Sequence, residues 1–141
     1  MIDACEYQFN DIEIGQTETF ELVITESMLD DFARLSGDYN PLHMNENYAY
    51  STIFKRRVCH GMLVASFFSR LVGMYIPGKN ALYFSQTLKF IHPCFIDDTL
   101  KIEGKVLDKS ESTKLITLKT SVFNDMGKCI IDGQAKVLVR D

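Results

Sequence analysis

The sequence predicts an α+β fold in which an antiparallel β-sheet wraps around one long central helix. Three observations predict it. The segment from about Gly61 to Tyr75 is apolar nearly all round, as an enclosed helix would be. From Ala81 onward, apolar and polar residues alternate with period two. Strong turn signals, above all Asn124-Asp125-Met126-Gly127, separate the alternating runs into an antiparallel meander.

The elements follow in chain order. Gly15 breaks the opening segment, and Glu18 to Val23 reads as a short strand. Thr25 or Ser27 can cap the helix that comes next, with Ser27 and Asp30 placed as a capping pair. Met28, Phe32 and Leu35 give that helix an apolar face, and Asp30 and Asp31 suit the positive end of its dipole. Gly37 is placed to end it in a left-handed cap. An irregular loop, Asp38 to His43, comes before a short helix started by Asn45 or Asn47 and running through Tyr48, Ala49 and Tyr50. The basic run Lys55-Arg56-Arg57 leads into the long apolar helix, which Pro77-Gly78 ends. Leu82, Phe84, Leu88 and Phe90 alternate with polar partners in one strand stopped by Pro93. Leu100 to Leu107 is a second strand, with Ile102, Gly104 and Val106 on one face. Lys109 to Thr113 is a turn, Leu115 to Phe123 a third strand, and Cys129 to Val139 a fourth.

A chain of 141 residues with 46% hydrophobic and 24% charged residues has the size and balance of a single domain, 1–141, with its own core. The net charge of −4 argues against a general nucleic-acid binder. Cys5, Cys59, Cys94 and Cys129 are spread apart with no C-x-x-C pair, which reads as reduced thiols in a cytoplasmic protein rather than a disulfide framework or a zinc site. The N-terminus lacks the basic and apolar regions of a signal peptide. The apolar run Met62 to Ile76 contains Ser66, Ser69 and Arg70 and falls short of the roughly 20 apolar residues a membrane span needs.

The most informative stretch is Ser36-Gly37-Asp38-Tyr39-Asn40-Pro41-Leu42-His43, which sets a carboxylate and an imidazole five positions apart. Pro41 pushes Asn40 toward extended geometry and stiffens the loop, which can then aim both side chains at one point. An Asp and a His at one point can take a proton from water and give one to carbon. The plainer alternative is that Asp38 caps a turn and His43 is an ordinary histidine. Gly61, opening the long helix, lets a ligand approach backbone N–H groups that favour developing negative charge. Its alternative is a glycine needed for packing. Ser69, eight residues on, falls on roughly the same helix face and could bond a substrate, as could Ser66; either could instead bond a carbonyl one turn earlier. The adjacent Cys59 and His60 do not make a metal site, and His60 and His92 read as structural. Lys55, Arg56 and Arg57 read as a solvated basic patch that could meet phosphates. No phosphate-loop, dinucleotide-binding or G-x-S-x-G signature is present.

These blocks, together with His60-Gly61-Met62-Leu63, Ala65-Ser66, Phe68-Ser69, Pro77-Gly78-Lys79 and Gln86-Thr87-Leu88-Lys89-Phe90, make nearly the whole chain similar to the MaoC-like (R)-specific enoyl-CoA hydratases of the hotdog fold. The resemblance implies a hotdog domain, a homodimer with active sites near the subunit interface, and a catalytic pair of Asp38 and His43. Asp38 would remove a proton from water as its oxygen attacks C3 of a trans-2-enoyl thioester, and His43 would deliver a proton to C2. The Gly61 N–H would hold the enolate-like oxygen, Ser69 and Asn40 would contribute to substrate binding, and Val72 and Val137 would help set acyl-chain length. The medium size of Val72 points to short or medium chains. No metal or redox cofactor is implied, the CoA thioester being the substrate. Tyr39 stands where a Phe is also familiar. A hotdog acyl-CoA thioesterase, a 3-hydroxyacyl-ACP dehydratase and a non-catalytic thioester-binding module are the competing readings. CoA and acyl-carrier protein share the same phosphopantetheine arm.

Overall fold

The computed structural model describes residues 2–140; Met1 and Asp141, the ends of the expected domain, lie outside them. Alternating sequence builds an antiparallel sheet of six strands: β1 (Thr17–Val23), β2 (Ala81–Gln86), β3 (Lys89–Phe90), β4 (Thr99–Ser110), β5 (Leu115–Asn124) and β6 (Cys129–Val139). Their order is β1-β4-β5-β6-β2, with β3 also on β6. Phe20 pairs with Ile102, Ile102 with Val122, and Val122 with Ile131, so the period-two pattern puts one apolar face of all four strands inward. Ile102, Val106, Ile116, Leu118, Val122, Ile131 and Val137 are all buried. Burying each such side chain is worth roughly 1.5–3 kcal/mol before conformational entropy is counted against it.

That face packs on the long helix. Its first ten residues, Gly61–Arg70, are α-helical (α4), after α1 (Glu26–Ser36), α2 (Pro41–Met44) and α3 (Glu46–Tyr50). Over Leu71–Tyr75 the winding widens, and the Ile76 N–H donates to the Leu71 carbonyl five residues back at 2.9 Å. Gly104 of β4 gives the helix its seat, since a Cβ there would lie 2.8 Å from Leu71 Cδ2. Leu63, Val64, Phe68, Leu71 and Val72 face the sheet, whereas Met62, Ser66, Ser69 and Arg70 are exposed. The sheet covers one side of the helix and leaves the other open in the single chain, which corrects the expectation of a helix enclosed all round.

Other expectations shift for local reasons. Thr25, not Ser27, caps α1, its Oγ1 accepting from the Met28 N–H at 3.2 Å. Leu29 and Ala33 form the buried row of α1, flanked by the partly buried Met28 and Phe32, while Leu35 is 86% exposed and takes no part. Gly37 ends α1 in the left-handed region, at φ 80°, as expected. The single strand expected from Leu82 to Phe90 is two. The Thr87 Oγ1 accepts from the Gln134 N–H at 2.9 Å, so a side chain enters the ladder where a backbone carbonyl would continue it. The strand expected over Leu100–Leu107 runs from Thr99 to Ser110, its turn shrinking to the residues before Leu115.

Candidate active site

The Asp38–His43 segment is built by its own short polar side chains. The Asp38 N–H donates to Ser36 Oγ, the Asn40 N–H to Asp38 Oδ1 and the Leu42 N–H to Asn40 Oδ1, each at 3.0–3.1 Å. Asn40 caps α2 and Pro41 fills its first position, where a missing N–H costs nothing. Turn-building therefore uses Oδ1 of Asp38 and leaves Oδ2 directed at His43.

His43 is held from two sides. Its Nδ1 lies 2.7 Å from the Val58 carbonyl, which can only accept, so Nδ1 carries a proton whether or not Nε2 does, and Nε2 is the nitrogen left to face Asp38. The Val58 N–H returns a bond to the Leu42 carbonyl at 3.2 Å. Nε2 stands 4.0 Å from Asp38 Oδ2. That separation is too long for a direct hydrogen bond, and one water oxygen about 2.8 Å from each atom fits it. The His43 side chain is 17% exposed and that of Asp38 48%, so one is held in a wall and the other reaches solvent.

Both line a cavity of about 470 Å³, as does Gly61. The first N–H groups of α4 have no partner within the helix and concentrate positive potential there. The Phe90 ring lies against Gly61, so close that a Cβ would sit 2.8 Å from Phe90 Cδ1. Val64, Ile130 and Ile131 make the inner wall apolar. Among the described residues no cluster of three or more His, Cys, Asp or Glu is arranged to hold a metal ion.

The cavity thus brings together Asp38, His43 and Gly61 and leaves the other expected residues outside its lining. Asn40 is exposed at its cap. Ser69 is exposed on the open side of α4, two turns or about 12 Å along the axis from Gly61. Val72 and Val137 are buried in the core. Ser66 donates to the Leu63 carbonyl at 2.5 Å, the local bond weighed for both serines.

Four residues gain importance that the sequence did not give them. Arg57, read as part of a solvated patch, has a side chain only 10% exposed and donates from Nε to the His43 carbonyl at 2.6 Å. His60 is buried and touches both Asp38 and His43. Cys59 and Cys94, far apart in sequence, sit side by side, with the Cys59 N–H donating to the Cys94 carbonyl at 2.9 Å and both residues lining the cavity. None of these contacts has a local signal, because each joins segments that only the fold brings together.

The chain is similar to known proteins over nearly its whole length. A model of the MaoC like domain matches residues 10–125. A curated relative, the (R)-specific enoyl-CoA hydratase of Rhodospirillum rubrum, is 41% identical over 97% of this chain and 94% of its own. The (R)-specific enoyl-CoA hydratase of Aeromonas caviae is 37% identical over 89% of this chain and 94% of its own. The solved R-hydratase PhaJ1 from Pseudomonas aeruginosa, in unliganded form, superimposes with a TM-score of 0.94 at 36% identity, covering 98% of this chain and 88% of that one.

Proposed function

Because the chain belongs to the MaoC-like domain family, we propose that it adds water reversibly across the C2–C3 double bond of trans-2-enoyl-CoA, giving (R)-3-hydroxyacyl-CoA. The observation that carries the reading is the 4.0 Å gap between Asp38 Oδ2 and His43 Nε2 beside the N-terminus of α4.

In the proposed cycle one water occupies that gap. Asp38, ionised, takes a proton from it as the oxygen bonds to C3. His43, protonated at Nε2, gives its proton to C2. The thioester oxygen gains charge as the double bond shifts, and the Gly61 N–H stabilises it. Asp38 then holds the proton that His43 has lost, and its return to Nε2 restores the starting state. The reverse sequence dehydrates the hydroxyacyl thioester. No metal or redox cofactor enters this cycle.

Val64, Ile130 and Ile131 meet the acyl chain first in this reading, with Val72 and Val137 acting from behind them. The reading includes a homodimer. Leu82 and Phe84 on the edge strand β2, and Phe90 on β3, are 55%, 70% and 52% exposed, an apolar edge that a second copy would cover. Ser69 lies on the open side of α4 and would meet substrate only once that side is covered. A cytoplasmic setting would keep the Cys59 and Cys94 thiols reduced. Lys55 and Arg56 remain exposed for either carrier, CoA phosphates or an acidic acyl-carrier protein.

The test is the absorbance of crotonyl-CoA with purified protein, followed alongside free thiol. Loss of the enoyl band without thiol release, with the (R) alcohol as product, is expected. Thiol release would make the protein a thioesterase instead. Running crotonyl-CoA against the matching acyl-carrier-protein thioester separates the two carriers.

A further inference from the structure

His60 is 1% exposed and lies between the two residues assigned to catalysis. Its Nε2 is 3.0 Å from the Asp38 carbonyl oxygen. A carbonyl only accepts, so this nitrogen carries the proton and Nδ1 is bare in the neutral ring. Nδ1 is enclosed and has no hydrogen-bond partner among the described residues, so a proton there would be buried without an acceptor. The His43 ring stacks on the His60 ring, with centroids 4.2 Å apart and planes at 29°. Phe32 of α1 meets the same ring edge-on at 4.9 Å.

We propose that His60 is a positioning residue for the Asp38–His43 pair, acting as an Nε2–H imidazole, neutral at pH 7, that anchors the Asp38 backbone and backs the His43 ring. This rests on the proposed hydratase reading. One bond fixes the backbone from which the Asp38 carboxylate projects, and one ring face fixes the plane of the imidazole opposite it. A single side chain therefore sets the width of the gap that holds the water. Neutrality matters for the second contact, because His43 passes through a charged form in the cycle and a cation stacked against it would oppose that form. The charged and titratable groups facing His60 are Asp38 and His43, from the Asp38–His43 segment, and Arg57, from the stretch that leads into α4. Burial is the largest influence and pushes the pKa of His60 below the usual histidine range; His43 and Arg57 push the same way, and the bond to the Asp38 carbonyl and the Asp38 charge oppose them.

Two variants separate the two contacts. His60→Gln keeps an N–H donor near the Nε2 position and loses the ring. His60→Phe keeps a ring and loses the donor. Both are assayed for hydration beside Asp38→Asn and His43→Gln, at temperatures below their melting points. Misplacement of catalytic groups by about 1 Å costs on the order of 100-fold, and a kcat loss approaching that is expected for His60→Phe, with KM within about twofold. His60→Gln is expected to recover part of it. Nitrogen-15 NMR of the imidazoles is expected to show His60 protonated at Nε2 alone across neutral pH. Wild-type kcat in both His60 variants, with Asp38→Asn and His43→Gln inactive, would overturn the positioning role and leave the catalytic pair standing. A loss of melting temperature with unchanged kcat would reduce His60 to a structural residue and also overturn it. An imidazolium at His60 at pH 7 would do the same. Full activity in Asp38→Asn and His43→Gln would instead remove the pair itself, and the positioning role with it.

Discussion

The Nε of Arg57 donates to the backbone carbonyl of His43 at 2.6 Å, while its terminal nitrogens reach Glu26 at 2.9 Å and Asp30 at 3.5 Å. One guanidinium thus ties the end of α2, which carries His43, to the first two turns of α1. Glu26 and Asp30 are more than half exposed, so their ion pairs add little stability by themselves. The buried bond to the carbonyl is the contact that matters. A lysine cannot reproduce the fork. Arg57→Lys is expected to lower stability by about 1.5–3 kcal/mol, the usual worth of a hydrogen bond involving a charged group, and to lower kcat as His43 loosens. Urea denaturation and initial rates on the same preparation check both.

Gly61 allows a direct test of the backbone donor. It occupies the first position of α4, where proline is tolerated, and His60 before it has φ −57° and ψ 128°, an extended geometry a following proline accepts. Gly61→Pro deletes the N–H and keeps the helix. Losing one oxyanion donor costs about 10²–10³ in kcat, and that is the expected loss here. Gly61→Ala, which keeps the N–H but crowds the Phe90 ring, controls for bulk. Equal losses in the two variants would count against the N–H as the cause.

Neutral His60 has a consequence for stability against pH. Its folded-state pKa is lowered, so the unfolded chain binds a proton more readily than the folded one. The stability this contributes is fully present above the unfolded value of about 6.5 and is lost as pH falls from there through the folded value. Urea midpoints measured between pH 7.5 and 5 are expected to fall more steeply for the wild type than for His60→Phe, which has no proton to take up.

The thiols of Cys59 and Cys94 are expected to resist alkylation. A hydrogen bond to the Cys94 thiol is the largest influence raising the Cys59 pKa, and burial adds to it, so little thiolate forms at neutral pH. Cys5 is exposed. Mass spectrometry after timed iodoacetamide treatment is expected to find Cys5 labelled first, and Cys59 and Cys94 labelled only after unfolding.

Phe84, on the edge strand β2, is the place to test the proposed dimer. Phe84→Asp is expected to shift the mass measured by light scattering from twice the chain mass of 16.1 kDa toward that of a single chain. An unchanged mass would move the interface elsewhere.

Local chemistry made much of this molecule legible in the sequence. Strands β4 to β6 follow from period-two alternation and the Asn124–Gly127 turn, and α1 ends where Gly37 can take a left-handed conformation. The approach of Asp38 to His43 was legible because the residues that build the turn lie between and beside them in sequence. The illegible parts depend on distance along the chain. Arg57 looked like surface because its partners Glu26 and Asp30 lie about thirty residues upstream. His60 looked structural because nothing near it reveals that Asp38 and His43 close around it. Leu82 and Phe84 fitted an inward-facing pattern, and nothing in alternation tells an edge strand awaiting a partner from one packed on a core.

The pairing of β1 with β4 has a last consequence, for the order of assembly. Thr17 lies opposite Lys105 and Val23 opposite Thr99, so this seam closes a loop of roughly eighty residues, whereas β4, β5 and β6 are joined by short turns. Loop-closure entropy favours the local meander as the early structure and makes the long closure a late event. Asp38, His43 and Gly61 all lie within that loop. A refolding chain can hold the meander before Asp38, His43 and Gly61 have met, so hydration is expected to return later than the strand signal of β4 to β6.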